Sequence, residues 1–308
     1  MATIATRGQL ELLAKLLDAG TQELQSLDRL GAGDIEQLRK RISAEIFDSM
    51  AAMFRRISAL APLVPDKLIT TIAPAVIPPE VAGRAGGAIG MDHKHRAASV
   101  AGGLPATYLA DAAPYVDPRV VPFFAPLLPP AIIIPAAREL LRRGDYLTAS
   151  LFVEHATPEL TREFERGIDD DEGIVRTAAL VPGADSLNAI LGAVPAERRV
   201  RVAGHCATGS AETVLAALSV LSRVSAAYAG PMAAAIFDAD PERVIDVAVT
   251  EECARELLDV IHLLDDHRII RIGSSPVFAD ATVRRALQQA CDTASRRETF
   301  DRLTSVTA

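Results

Sequence analysis

The sequence predicts an all-α fold, a right-handed α-solenoid of short helices with long helices at both ends, on three observations. The first is composition. Aromatic residues make up only 4% of the 308 and tryptophan is absent, whereas 49% of the chain is hydrophobic. Such a core, poor in aromatic side chains, suits closely spaced helices better than sheets. The second is a beat of prolines: Pro65, Pro78, Pro105, Pro118, Pro130, Pro158, Pro182 and Pro195, with Asp92, Asp145, Asp171 and Ser210 near the missing positions. Proline suits the first turn of a helix, where its missing N–H would be unpaired anyway, and Asp or Ser supplies an N-cap acceptor. The mean interval is about 13 residues, and self-similarity at a fixed period marks a repeat architecture. The third is that apolar residues follow each starter at helical offsets, as Leu68, Ile69, Ile72 and Val76 follow Pro65 and Leu187, Ile190, Leu191 and Val194 follow Pro182.

Taken in order, residues 1–60 read as a helical hairpin. Leu10, Leu13, Leu16 or Leu17, Leu24 and Leu27 mark its first helix, and Gly31, Ala32 and Gly33 the joint. In the second, Asp34 and Gln37 have capping-box spacing, and Ile35, Leu38, Ile42, Ile46, Met50, Met53 and Ile57 recur every three or four residues. This pair is expected to cap the solenoid or to form a homodimer. Residues 61–210 are the short-helix solenoid. Helices this short are marginal alone, so they must be stabilised by their neighbours, with two units making a hairpin of about 26 residues. Residues 211–308 read as longer helices that continue or cap the stack without keeping the beat. There "RIIRIGSSPVF" reads as a tight connection, followed by a final helix from about Asp280 to Leu303.

The stretch "VVPFFAPLLPPAIIIPAA", Val120 to Ala137, has no charge but five prolines. Each interior proline costs about 3 kcal/mol in a helix, so a membrane span is not expected. It reads instead as parts of two consecutive short helices, begun near Pro118 and at Pro129-Pro130. Pro122, Pro126 and Pro135 fall off the beat, so these units are kinked or a groove opens here.

A net charge of −8 leaves no basic surface for nucleic acid. Three widely spaced cysteines, Cys206, Cys253 and Cys291, read as reduced thiols of a cytoplasmic protein, and no secretion signal is visible.

The segments "LVPDKL", "GLPATYLADAAPYVDP", "LVPGADSLNAIL" and "AVPAERRV" resemble the N-terminal cytosolic helical domain of the MgtE-type magnesium transporters over about residues 60–210. The resemblance implies a superhelix of short paired helices. The multi-span membrane domain and paired CBS modules of that family have no counterpart here, so the likeness concerns the fold.

Chemistry-bearing patterns are sparse. Asp169, Asp170, Asp171 and Glu172 could attract Mg²⁺ or Ca²⁺, which take oxygen ligands, yet they also suit a helix N-terminus. His93 and His95 would point to different sides of one helix. Cys206 and His205 are adjacent and face apart, while His262 and Asp266 offer two ligands where zinc needs three or four. The common nucleotide, zinc and hydrolase motifs are missing. "GRAGGAIG", Gly83 to Gly90, reads as small residues that let helices approach closely. The expectation is therefore a non-enzymatic scaffold or adaptor for a protein partner, with no cofactor. The alternatives are a carrier or sensor of a hydrophobic ligand, held in a groove near Phe123, Phe124, Leu127, Leu128, Ile132 and Ile134, and a magnesium-responsive regulatory domain.

Overall fold

The computed structural model describes residues 3–305 apart from 51, 52, 54, 55, 57, 58, 60–63 and 154. The side chains of residues 91, 124 and 125 also lie outside the description. Every regular element among the described residues is helical.

The N-terminal part holds α1 (Ile4–Leu17), a 3₁₀ segment (Thr21–Leu30) and α2 (Gly31–Ser49). Thr3 caps α1 by accepting from the Thr6 N–H at 3.2 Å, and Asp18 closes it in the left-handed region at φ 52°. The expected first helix is therefore two pieces, and Gly31 opens α2 rather than belonging to a joint. Met50 terminates α2, and the expected continuation to Ile57 falls partly outside the described residues.

The short helices follow: α3 (Asp66–Val76), α4 (Pro79–Asp92), α5 (Lys94–Gly102), α6 (Ala106–Ala112), α7 (Val121–Phe124), α8 (Pro130–Arg142), α9 (Tyr146–Val153), α10 (Pro158–Gly167), α11 (Asp171–Leu180), α12 (Ala184–Ala193), α13 (Ala196–Thr208), α14 (Ala211–Leu221), α15 (Ala226–Ala239), α16 (Pro241–Thr250), α17 (Ala254–Ile261) and α18 (Asp266–Gly273). Pro65, Pro78, Pro105, Pro195 and Ser210 stand at N-caps, and the other beat residues lie within two positions of one. Successive helices start 9 to 16 residues apart from Asp66 through Asp266. The beat thus continues well past Ser210, because Ser225, Asp240 and Asp265 take over as N-cap residues.

Two further expectations fail at the C-terminal end. "RIIRIG" is helical in α18, where Asp265 accepts from the Arg268 N–H at 2.9 Å and Ile269 and Ile272, three apart, are both buried. After α19 (Pro276–Ala279), the single final helix is two, α20 (Ala281–Gln289) and α21 (Ala294–Thr304), because Ala290 ends one and the Thr293 hydroxyl caps the next.

Stacking is mostly on second neighbours, with one third-neighbour step from α11 to α14. α4 packs on α6, α6 on α8, α8 on α10 and α10 on α12; beside them α9 packs on α11, α11 on α14 and α14 on α16. Two layers of helices result, as expected of a helical-repeat fold. The largest core is continuous from Ala179 to Leu303, and a smaller one joins Ala110, Leu140, Leu141, Ala149 and Ile168. α1 lies against α11 and α14, with Gly8 close to Leu180 and Leu147. A third cluster, Leu10, Leu13 and Ile35, ties α1 to α2. α1 therefore packs along the second layer, and α2 packs on α1.

"GRAGGAIG" behaves as its composition suggests. A Cβ at Gly83 would stand 2.4 Å from the Ala112 carbonyl oxygen, and one at Gly87 3.0 Å from the Asp117 Cβ. Only glycine permits α4 to sit this close to the chain that follows α6.

Candidate functional site

Between the two layers runs an elongated apolar cavity of about 320 Å³. α8 contributes Ile132, Ile133, Ala136 and Ala137, and α9 contributes Phe152 and Val153. α10 adds Leu160 and Phe164, α11 Ile174 and Val175, α12 Ile190 and Leu191, α13 Val202 and Ala203, and α14 Val220 and Leu221. Each helix turns one apolar stripe inward, as its 3.6-residue period requires. Leu147 and Leu180, on α9 and α11, instead meet α1.

The proline-rich stretch forms part of this wall. Val121–Phe124 is a single turn, Ala125–Leu127 a 3₁₀ turn, and Pro129 caps α8. Pro135 lies inside α8, where it leaves the Ala131 carbonyl without its usual intrahelical donor. Ile132, Ile133, Ala136 and Ala137 are only half buried, because their inner side faces open space.

Of the six residues expected near a hydrophobic site, Leu128 and Ile132 line the cavity. Phe123 does not, being 62% exposed. Ile134 is rotated away and packs against Gly167. Leu127 sits half buried in the 3₁₀ turn outside the lining, and the Phe124 side chain lies outside the described residues. The expected set was contiguous in sequence, whereas the wall takes two or three residues from each of many helices.

The cavity's charged lining residues are Glu165, Arg198 and Arg199. Arg198 donates to the carbonyls of Glu165 at 3.1 Å and Ile168 at 3.0 Å and to the Asp171 carboxylate at 2.7 Å; the Glu165 carboxylate lies 3.6 Å away. Arg199 donates through Nη1 to the Leu191 and Val194 carbonyls, and its guanidinium lies over the Tyr228 ring, 4.8 Å from the centroid. Both arginines thereby satisfy carbonyls at helix C-termini. Thr161 also faces the lining and is 6% exposed.

Cys206 is in the wall, and burial, reinforced by the charges of Asp171 and Glu172, pushes its thiol up to about 12. A thiol held neutral is a poor nucleophile. His205, next to it, turns outward, its Nδ1 3.7 Å from Asp171. The pair faces apart as helix geometry demands.

The acidic run does not converge on a common point. Asp170 caps α11 by accepting from the Gly173 N–H at 2.8 Å, Asp171 is taken by Arg198, and Glu172 accepts from the hydroxyls of Ser210, at 2.8 Å, and Thr213. Asp169 is exposed. Among the described residues no group of three or more His, Cys, Asp or Glu side chains is placed to hold a metal ion. Expected metal ligation by Asp169, Asp170, Asp171 and Glu172 is thus replaced by capping and ion pairing. His262 donates to or accepts from Thr299 at 3.1 Å, which gives it a structural role between α17 and α21.

Among the described residues no helix is long and apolar enough to cross a membrane. No protein-family model, curated protein or solved structure matches the chain.

Proposed function

We propose that this is a non-enzymatic binding protein that carries or senses an elongated apolar small molecule within its helical stack. The supporting observation is the cavity itself. Its volume of about 320 Å³ falls in the range of ligand pockets and is about twice that of engineered apolar cavities that stay dry and take up benzene. Its wall includes Leu187 and Leu221, each 1% exposed, so a protein partner could not reach this depth. Each methylene placed there gains about 0.8 kcal/mol on leaving water, which makes an aliphatic chain a natural occupant.

Native mass spectrometry of the purified full chain, followed by solvent extraction, tests the reading. An extractable apolar molecule at near one equivalent is expected, and its loss on Ala137→Trp, which fills the lumen, would locate it. A chain that stays empty and takes up no alkane or alkanol at saturating concentration would end the proposal.

The protein-binding scaffold remains a second reading, favoured by a different observation. Leu68, Ile72 and Val76, one turn apart on α3, are 48%, 44% and 71% exposed. An apolar row of this kind on a solenoid end suits contact with another protein. Retention of a partner by the native chain and its loss with Ile72→Glu is the outcome this reading requires.

A further inference from the structure

The charged groups in the wall are two arginines and one glutamate, so the lining carries one net positive charge inside an otherwise apolar space. Arg198 lies between the Glu165 and Asp171 carboxylates, so its charge is fully answered within the protein. Arg199 differs. Among the described residues no carboxylate lies within ion-pair distance of it, and its protein hydrogen bonds all pass through Nη1, to the Leu191 and Val194 carbonyls. Nε and Nη2 keep their donors uncommitted. Those carbonyls and the Tyr228 ring fix the guanidinium in place, so its free edge is presented without further loss of side-chain freedom. A second polar group accompanies it: Thr161 lines the same cavity, is 6% exposed, and its hydroxyl has no protein partner among the described residues.

A cation with free donors at an apolar cavity wall fits an anion that brings its own aliphatic chain, since the chain is held by burial and the head by charge-assisted hydrogen bonds. Resting on the apolar-ligand reading above, we infer that the ligand is a single-chain anionic amphiphile, whose carboxylate or phosphate head is received by Arg199 and whose chain extends along the cavity. Thr161 and Thr177, the latter 3% exposed with its hydroxyl buried and unpartnered, line the same cavity and can hydrogen-bond an oxygen of the bound molecule. A fully hydrocarbon ligand would leave these groups unsatisfied.

Calorimetric titration of the full chain with dodecanoate, dodecyl phosphate and dodecanol tests this. One of the two anions should bind at least about tenfold tighter than the alcohol, the size of a charge-assisted hydrogen bond, and the tighter of them names the head. Arg199→Met should remove that preference, weakening the preferred anion by about tenfold or more and dodecanol by less, because the neutral hydroxyl loses a hydrogen bond but no charge pairing. Arg199→Lys, which keeps the charge and guards against a variant that fails to fold, should retain most of the preference. Equal binding of all three amphiphiles by the native chain, or an unchanged anion preference in Arg199→Met, would overturn the inference while leaving the apolar cavity reading intact. Failure of every probe, dodecanol included, would instead remove the cavity reading on which it rests.

Discussion

Arginines tie successive units together by a device the sequence scarcely announces. Arg198 reaches the carbonyls of Glu165 and Ile168, Arg243 that of Gly209, and Arg271 that of Phe237, each at the C-terminal end of the helix beneath. These carbonyls have no intrahelical donor, and a cation there also suits the helix dipole. Arg223 is the most buried example. It donates to Ala179 and Val181 on one side and to Ser219 on the other, and burial pushes its guanidinium down to about 10, against the pull of Glu256. Arg223→Leu should therefore cost about 2–4 kcal/mol in chemical denaturation, since the stranded carbonyls outweigh the relief of desolvation. Glu172 gives a pH-dependent case. Hydrogen bonds from Thr213 and Ser210 hold its carboxyl below the usual range, helped by Arg176. A lowered folded-state value means stability that is present above the unfolded pKa of about 4.3 and lost as pH falls through the folded one. Glu172→Gln should accordingly weaken the protein by less than about 1 kcal/mol at pH 7, because the group is partly exposed, and the difference from the native chain should shrink as the pH is lowered towards about 3. Unfolding curves at the two pH values decide it.

Helix positions were legible because most starters are chemical: a proline or a short polar side chain at the N-terminus, with Leu30, His93, Gly183 and Cys253 among the exceptions. What failed was judgement of where the pattern stops. In "RIIRIG" strand-like alternation running into Gly-Ser-Ser-Pro suggested a tight connection, yet Ile269 and Ile272 are buried together on a helix, and the Asp265 cap is equally visible in the sequence. Packing on a core outweighed local pattern. Glycines show the same division. Gly83, Gly86 and Gly87 share one run, but a Cβ on Gly86 would meet nothing, whereas one on Gly83 would strike the Ala112 carbonyl oxygen. Gly83→Ala should thus destabilise by about 1–3 kcal/mol through a forced shift of α4. Gly86→Ala should be neutral or gain about 0.5–1 kcal/mol from helix propensity. Thermal melts of the two single variants separate these outcomes, and equal effects would contradict the close approach. For α8, Pro135→Ala restores a backbone donor opposite the Ala131 carbonyl and should raise stability by about 1–3 kcal/mol.

As a whole, the molecule is two layers of short helices that enclose a continuous apolar space, with α1 laid along the second layer. A ligand that binds only the folded state stabilises it by mass action, by about 2.7 kcal/mol at a hundredfold excess over its dissociation constant. Removal of bound amphiphile by solvent extraction should therefore lower the melting temperature, and adding it back should restore it. The absence of native tryptophan makes Leu191→Trp a single fluorescent reporter on the cavity wall, expected to shift its emission when the space fills. The sequence by itself determined that the chain is helical, where most helices begin and how often, because caps, prolines and 3.6-residue periodicity act within one turn of the backbone. It also marked the stretch around Leu128 and Ile132 as unusual, since Pro122, Pro126 and Pro135 broke the beat. Only the tertiary structure decided that these residues wall a cavity shared by many helices, that Ile134 turns away from it, and that Arg199 lines it with Nε and Nη2 uncommitted to the protein. Those facts depend on which stripe of each helix meets its second neighbour, a relation between residues about 30 positions apart that no local pattern encodes.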